Sequence, residues 1–399
     1  MLKNFDIKTI LYPLIATFLI LLWHFIMPSM LNAFHGGGEG LAQAVELHNT
    51  FPAFARRPLT TQAIYVVMHI LGCSATIGFI IVNFVFLFLN GILLYFLSFY
   101  KNKNEKQSLF NMLIYYTSFS VLFSFFAPIY TYDEPIQYFC LLCAMLFLEK
   151  SSSFLMSLFA FIFLFLSLVT RETSILLFPA LYFFSLDKNA QADFDFFDIK
   201  TYLKVINIPK SLIFSLAFAL YLLFNHYFFG GLPIETDRDA AWHLNVSSTA
   251  HIIESVCSGL LVLALPLAVL LKSTWRKQNK INQNIFFFIG ITLIVNTLFT
   301  YGFSFARESR IFALPLLLLF PIASDVFESL QSAFLNIENL KSFFKSKTGW
   351  LTLICIALMI HFYHPTDSAG MTDYYHVYLG AVIFCVGYVR FLMIRLTTS

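Results

Sequence analysis

The stretch SATIGFIIVNFVFLFLNGILLYFLSF, residues 74–99, decides the class of fold, because it contains no charged side chain. The hydrocarbon core of a bilayer, about 30 Å thick, needs roughly 20 apolar residues in a helix, so this stretch predicts a membrane-spanning helix. The whole chain has the same character: 59% of its 399 residues are hydrophobic and only 12% are charged. Soluble domains carry about twice that charged fraction, so much of the apolar surface is expected to face lipid.

Similar apolar runs continue along the chain and predict an all-α, polytopic transmembrane protein of about twelve spans. The predicted spans lie near 10–27, 74–99, 108–128, 135–148, 154–170, 174–186, 211–229, 252–271, 285–304, 311–325, 349–363 and 377–396. The runs 135–148 and 174–186 are short, and for them burial against neighbouring helices is an alternative to full spanning. No appended soluble domain or internal repeat is evident, so residues 1–399 are expected to form a single transmembrane domain.

The distribution of lysine predicts the orientation of these spans. With the N-terminus in the cytoplasm, all lysines fall on the inner side, as the positive-inside rule expects. Both termini are then cytoplasmic, and the remaining outer basic residues are arginines that stand near acids in the sequence. Arginine forks match carboxylate and phosphate geometry, so any chemistry is predicted at the outer ends of the helices.

The longest outer segment, residues 28–72, is predicted to hold short juxtamembrane helices. A glycine run precedes Glu39, a helical stretch follows over residues 40–48, and the apolar stretch 60–72 is interpreted as an interfacial helix. Glycines allow close approach of a ligand to the backbone, and Glu39 is placed to accept a proton from an incoming hydroxyl group. A structural role for Glu39, at the positive end of a helix dipole, is also open.

Two further acidic and basic groups stand at predicted outer helix ends. Asp133 and Glu134 occupy the junction of the third and fourth spans, where they could bind a sugar, a cation or a hydroxyl group, or form a solvated turn. Arg171-Glu172-Thr173 and Arg307-Glu308-Ser309-Arg310 begin later spans. Ionisable residues at the hydrocarbon boundary indicate function by default, although salt bridges that tie helix ends together are the alternative. Arg307 and Arg310 outnumber Glu308, which favours an anionic ligand.

Metal and cofactor binding receive little support from the sequence. His361, His364 and Asp367 cluster near the last outer loop, but their spacing matches no zinc pattern, so no metal ligands are assigned. No organic cofactor is predicted, and participation of a divalent cation is left open. The net charge of +3 gives no indication of nucleic acid binding.

The pattern resembles the GT-C superfamily of multi-pass glycosyltransferases, which use polyprenyl-phosphate-linked sugars. The likeness covers mainly the N-terminal half and depends on Glu39 in the first loop, Arg57-Pro58-Leu59 before the second span, Asp133, and Arg171-Glu172-Thr173. The chain departs from the family in having Glu instead of the commoner Asp in the first loop, without an aspartate pair, and no periplasmic domain at its C-terminus.

The resemblance implies an enzyme that transfers a sugar from a polyprenyl-phosphate donor to a glycan, lipid or protein acceptor. It implies catalytic roles for Glu39 as base and Asp133 as orienting group. The donor phosphate would be held by Arg307 and Arg310 with help from Arg171, and stabilised as it leaves. Supporting roles fall to Arg57, Glu134, Glu172 and Glu308. The implied location is a bacterial inner membrane, with membrane lipid around the spans and the active face in the periplasm.

Two other classes of protein fit the same sequence. An O-antigen polymerase or ligase is also multi-pass and outward-facing, and would depend on outer arginines and histidines more than on Glu39. A transporter or flippase of lipid-linked sugars is the second alternative. Transporters tend to show internal repeats and ionisable groups near the bilayer midplane, which this sequence lacks.

Overall fold

The computed structural model describes residues 7–26, 39–122, 124–125, 132–149, 153–195, 198, 200–202, 206–230, 241–271, 280–304, 309–324, 333–334, 336–362 and 372–398. In these ranges the regular elements are helices and there is no strand, which confirms the all-α prediction. The chain divides into two compact units, Met1–Glu235 with Lys280–Thr292, and Thr236–Asn279 with Leu293–Ser399.

The first unit contains twelve described α-helices and one 3-10 helix. The α-helices are α1 Lys8–Ile26, α2 Glu39–Thr50, α3 Pro52–Ala55, α4 Pro58–Leu71, α5 Ala75–Asn102, α6 Glu105–Tyr116, α7 Phe119–Leu122, α8 Glu134–Glu149, α9 Phe154–Thr170, α10 Phe178–Ser185, α11 Lys188–Asp193 and α12 Ile208–Phe229, and the 3-10 helix is Glu172–Leu177.

The second unit contains the remaining described helices. They are α13 Ala241–Val246, α14 Thr249–Leu271, α15 Lys280–Phe303, a 3-10 helix Ser309–Ala313, α16 Leu316–Leu319, a 3-10 helix Phe320–Ile322, α17 Ile337–Lys345, α18 Lys347–Phe362 and α19 Thr372–Thr398. Helix α15 belongs to both units, since the division falls at its residues 292 and 293. Within the second unit, α19 packs against both α14 and α18.

Several helices are able to cross a bilayer, which makes the chain a multi-pass membrane protein. Five described helices are long and apolar enough, namely the segments Lys8–Phe25, Ala75–Lys101, Ile208–Phe229, Gln283–Phe303 and His376–Arg395, and a sixth span arises if the bent pair α17–α18 counts as one. The predicted count of about twelve is therefore not confirmed. Part of the difference comes from breaks: the predicted span 108–128 ends as a helix at Tyr116 and continues in a short separate helix.

Helix α8 lies at the centre of the first unit. Twelve of its 16 side chains are buried, including both acidic and apolar residues, so the helix contacts protein on most of its surface. Helices α5 and α9 pack against it, and α9 also packs against α4 and α12. This arrangement agrees with the alternative that the run 135–148 is buried against its neighbours, because a lipid-facing helix exposes one side.

The two ends of α8 carry different ion pairs. At its C-terminal end Glu149 pairs with Lys101 of α5 at 3.1 Å, and the Lys101 ammonium lies 4.1 Å from the ring centroid of Phe184. At its N-terminal end stand Asp133 and Glu134. A helix of this length separates its ends by about 24 Å. The lysine-bearing end of the unit is thus distinct from the end that holds the predicted acids.

The helices between residues 39 and 72 follow the sequence prediction. The predicted helical stretch 40–48 lies within α2, and the predicted interfacial helix 60–72 corresponds to α4. Helix α4 starts at Pro58, which is favoured in the first turn of a helix. It ends at Gly72, whose positive φ of 60° is the left-handed conformation that glycine adopts readily.

Close packing of α1, α5 and α6 depends on Gly91. A β-carbon at position 91 would lie 2.8 Å from Cβ of Pro13 and closer still to the hydroxyl oxygen of Tyr116. That hydroxyl donates a hydrogen bond of 3.0 Å to the carbonyl oxygen of Leu87 and accepts one of 3.2 Å from Thr17. We expect Gly91→Ala to destabilise the protein by about 1–3 kcal/mol, as overpacking of a tight interface does.

The free energy of unfolding in mixed detergent micelles measures this effect. Gly290→Ala is the matched control, because a β-carbon at Gly290 of α15 meets no atom within 4 Å. Alanine is also the better helix former, so this control is expected to be neutral or slightly stabilising. Equal effects of the two substitutions would contradict the packing role of Gly91.

Candidate functional site

Five ionisable residues gather at one end of the first unit and form what we term the ionic cluster: Arg57, Asp133, Glu134, Arg171 and Glu172. They lie at helix ends, since α4 begins just after the first of them, α8 begins at the third, and α9 ends just before the fourth. Proline at position 58 disfavours helical backbone at the preceding residue, and Arg171 adopts extended backbone between α9 and the following 3-10 helix. These breaks turn the charged side chains toward one another.

Two ion pairs organise the cluster. Arg57 holds Glu172 with two parallel hydrogen bonds, one of which joins Nε to Oε2 at 2.7 Å while the other joins Nη2 to Oε1. Arg171 donates from Nη1 to Oε1 of Glu134. The first pair links the α3–α4 connection to the segment after α9, and the second links that segment to α8. For Arg171 and Glu172, the alternative of salt bridges that tie helix ends together is therefore present in the structure.

The third carboxyl group of the cluster, that of Asp133, has no such partner. Its Oδ2 atom lies 4.0 Å from Nη1 of Arg57, which is an ion pair at the limit of direct contact. Among the five residues of the ionic cluster, three carboxyl groups thus face two guanidinium groups, and Asp133 is the surplus acid of this set.

Asp133 is buried, with 3% of its surface exposed, and so is Glu134. The alternative of a solvated turn at these residues is wrong, because helices cover both side chains. Glu172 is the most accessible member, with 31% of its side chain exposed. Among its five members, the cluster is therefore most accessible at Glu172.

Burial raises the pKa of the Asp133 carboxyl to about 7, although the positive charges of Arg57 and Arg171 oppose that shift. The neighbouring carboxylate of Glu134 raises it further, and the hydroxyl of Thr60 lies near enough to favour the ionised form. Atom Oδ1 of Asp133 nevertheless makes no hydrogen bond of ordinary geometry with any residue that the structure describes. A buried carboxyl group with this pKa can accept or release a proton near neutral pH.

Arg57 remains charged in this environment. Burial by itself would lower the pKa of its guanidinium group, but the carboxylates of Glu172 and Asp133 raise it above the ordinary value. Tyr221 of α12 also interacts electrostatically with Arg57 and Glu172, so α12 extends to the cluster.

An aromatic layer covers the cluster on the side of helix α2. The ring of His48 from α2 lies between Phe54 and Tyr132, with centroid distances of 4.6 and 3.6 Å. The Tyr132 hydroxyl is 2.9 Å from the Thr61 hydroxyl, within hydrogen-bonding distance. The guanidinium carbon of Arg57 lies 5.9 Å from the Phe54 ring centroid, which is a cation–π contact.

Four residues near the cluster were not predicted as site residues from the sequence: His48, Thr60, Thr61 and Tyr221. Only His48 could have been found from a local sequence pattern, because its spacing of four residues from Ala44 places it on the buried face of α2. The other three are ordinary polar residues in apolar helices, and their proximity to the cluster depends on packing between distant segments.

The structure describes no side chain of the remaining predicted site residues, Glu39, Arg307, Glu308 and Arg310. Glu39 is the first residue of α2, but its side chain lies outside the described residues. Arg307 and Glu308 also lie outside them. Arg310 is part of the 3-10 helix Ser309–Ala313 in the second unit, and its side chain is not described. Their predicted roles remain predictions.

In the same described ranges, no group of three or more His, Cys, Asp and Glu side chains is arranged to hold a metal ion. His361 stands in the last turn of α18. His364 and Asp367 lie outside the described residues, so the divalent cation left open by the sequence remains open.

The fold and the cluster together define a multi-pass, all-α membrane protein with a buried, charged site at one end of its helices. No protein-family model matches the chain, and no curated protein or solved structure shows significant similarity to it. An assignment of function therefore depends on the chemistry of the ionic cluster.

Proposed function

We propose that this protein is a membrane glycosyltransferase of the GT-C type, which moves a sugar from a polyprenyl-phosphate donor to an envelope glycan, lipid or protein. The observation that carries the proposal is the surplus carboxyl group of Asp133, buried beside two arginines at the end of the helices. Sugar transfer to a hydroxyl group needs a carboxylate that accepts a proton while a phosphate group leaves.

The proposed reaction is a displacement at the anomeric carbon. The acceptor oxygen forms a bond to this carbon as the bond to the donor phosphate oxygen breaks, and the phosphate departs with the bonding electrons. The hydroxyl proton passes to a carboxylate, for which Glu39 and Asp133 are the candidates. Arg307 and Arg310 stabilise the departing phosphate. Arg171 and Arg57 are engaged by Glu134 and Glu172, which favours a role in holding the site together.

The proposed orientation puts the ionic cluster in the periplasm of a bacterium and the protein in the inner membrane. The Lys101–Glu149 pair at the opposite end of α8 supports this orientation, because lysine-rich ends tend to stay in the cytoplasm. Lipid-linked donors would then reach the cluster from the outer leaflet.

We expect Asp133→Asn and Glu39→Gln to reduce sugar transfer, with at least a 100-fold loss for whichever residue accepts the proton. Mass spectrometry of envelope glycans measures the effect in cells that lack the gene and in cells that produce wild type or a variant. Deletion should remove one sugar from a defined glycan, and wild type should restore it. The exposed acids Asp193 and Glu105 supply matched controls, Asp193→Asn and Glu105→Gln, that should restore it fully.

Wild-type glycans in cells without the gene would overturn the proposal. Transfer that survives Glu39→Gln and Asp133→Asn but requires Arg307 or Arg310 would instead favour the O-antigen polymerase or ligase class.

A transporter of lipid-linked sugars is the second candidate, and the protonation of Asp133 near neutral pH favours it. A buried acid of this kind is suited to proton coupling. Purified protein in liposomes would then move a polyprenyl-phosphate sugar between leaflets in response to a pH gradient, without transferring the sugar. Movement that Asp133→Asn abolishes would establish this function in place of the enzyme.

A further inference from the structure

Helix α2 of the first outer segment buries one face against the first unit. The buried side chains are spaced at three, four and seven residues, as one face of a helix requires: Leu41, Ala44, Val45 and His48. Helix α2 packs against α5 and α4 through this face. His48 is the polar member of the set, and it stands at the end nearest to the ionic cluster.

The His48 ring is fixed by its contacts. Its Nδ1 atom is 2.8 Å from the carbonyl oxygen of Ala44, and because a carbonyl oxygen only accepts, Nδ1 carries a proton. The ring planes of His48 and Tyr132 are inclined by only 18° with their centroids 3.6 Å apart. Phe54 stacks on the other face of the imidazole at the same inclination.

Tyr132 immediately precedes Asp133 and is held by three elements. His48 contacts it from α2, the Thr61 hydroxyl of α4 is within hydrogen-bonding distance, and the Phe79 ring of α5 stacks at 5.7 Å. Tyr132 is 1% exposed. A side chain fixed in this way leaves the adjoining Asp133 little freedom to move toward water.

We propose that His48 is a positioning residue that docks helix α2 onto Tyr132 and thereby keeps water away from Asp133. Helix α2, which begins at Glu39, is in this way coupled to the protonation of Asp133. The inference deepens the proposed function and rests on it for its biological meaning. Its physical content is tested separately, without sugar transfer.

The charged and titratable groups that face Asp133 predict the sign of the effect. Arg57 and Arg171 favour its ionised form, whereas burial and Glu134 favour the protonated form and prevail. His48 and Glu172 reach the same region from α2 and from the 3-10 helix that follows α9. Removal of the His48 ring admits water, which reduces the penalty on the ionised form, so the pKa of Asp133 should fall.

Infrared spectroscopy of the purified full chain measures this directly. The band of a protonated, buried carboxylic acid is followed from pH 4 to pH 9, and Asp133→Asn identifies the part of the signal that belongs to Asp133. In wild type we expect a midpoint at about pH 7. In His48→Ala we expect the midpoint to fall by about one pH unit or more.

Two variants separate positioning from general packing. His48→Phe keeps a flat ring between Phe54 and Tyr132 and should retain the wild-type midpoint. Leu41→Ala removes a fully buried side chain from the same face of α2, two turns away, and should also leave the midpoint unchanged. If His48→Ala does not fold, His48→Gln replaces it, since it removes the ring and keeps a polar group of similar size.

An unchanged midpoint in the variant without the ring would overturn the proposal, as would an equal shift in Leu41→Ala. Loss of the shift and loss of glycan transfer are distinguishable outcomes, because the infrared titration requires no substrate. If the titration midpoint shifts as expected in His48→Ala but the protein transfers no sugar, the positioning role of His48 is supported and the proposed enzyme activity is overturned.

Discussion

Replacement of Arg171 by methionine is expected to lower the free energy of unfolding by about 3–5 kcal/mol, because it leaves a buried carboxylate without its partner. Arg171 donates a hydrogen bond to Glu134, whose carboxyl group is 4% exposed. Methionine has a similar length and fills the same space, so the lost charge dominates over lost volume. The expected loss is a large part of the total stability of a typical domain.

Unfolding in mixed detergent micelles measures this loss, and two further variants test its cause. Arg171→Met combined with Glu134→Leu should recover most of the stability, since both members of this ion pair are then removed together. Lys341→Met breaks the pair with Glu338, in which the two side chains are 63% and 75% exposed, and should cost less than about 1 kcal/mol. A failure of the double variant to recover stability would show that Arg171 acts mainly through packing.

Asp133→Asn is expected to remove a decline in stability that wild type shows between about pH 4 and pH 7. The folded-state pKa of Asp133 is raised from an ordinary value of 3.8 to about 7, mainly by burial. In that range the folded protein therefore binds a proton that the unfolded chain releases, and stability falls as the pH rises. The full effect is on the order of 4 kcal/mol, and it is complete above the folded-state pKa.

The difference in unfolding free energy between variant and wild type, followed from pH 4 to pH 9, isolates this contribution from that of other groups. The two proteins should be nearly equally stable at pH 4, where Asp133 is protonated and resembles asparagine in shape. The variant should be the more stable at pH 8. Asp193→Asn changes an exposed acid, and its stability relative to wild type should not change between pH 4 and pH 8. A constant difference across the range would mean that Asp133 ionises normally.

Much of the site could be predicted from position in the sequence. Asp133, Glu134, Arg171 and Glu172 were identified because a charged residue next to an apolar run has to lie at a helix end. Arg57 was identified because the segment Arg57-Pro58-Leu59 resembles one found in the GT-C superfamily. All five are found together in the ionic cluster. The first-loop helices were predicted for a similar reason, since glycine and proline mark their limits locally.

The pairing within the cluster could not be predicted. Arg171 and Glu172 are neighbours in the sequence, yet each pairs with a residue from another segment, Glu134 and Arg57 respectively. Adjacent residues in extended or 3-10 backbone point in different directions, so sequence adjacency does not select partners. Which acid is the surplus one depends on that pairing, so the sequence could not predict that it is Asp133.

About twelve spans were predicted, whereas five or six segments of the described helices are long and apolar enough to cross a membrane, and the difference has a related reason. Hydropathy reports how apolar a segment is, but a helix covered by other helices can be as apolar as one covered by lipid. Helix α8 is such a case, because protein covers most of its side chains. The segment 174–186 begins as a 3-10 helix and continues in α10, and most of α10 is buried as well.

By itself the amino-acid sequence determined that this is an all-α membrane protein and that Arg57, Asp133, Glu134, Arg171 and Glu172 stand where helices begin or end. These properties depend on local composition, which a single segment carries within itself. Only the tertiary structure decided which charges pair with each other, that Asp133 is left over, and that His48 stacks on the neighbouring Tyr132. Those outcomes depend on the burial of side chains by segments far apart in the chain, because burial sets both the cost of a charge and the choice of its partner.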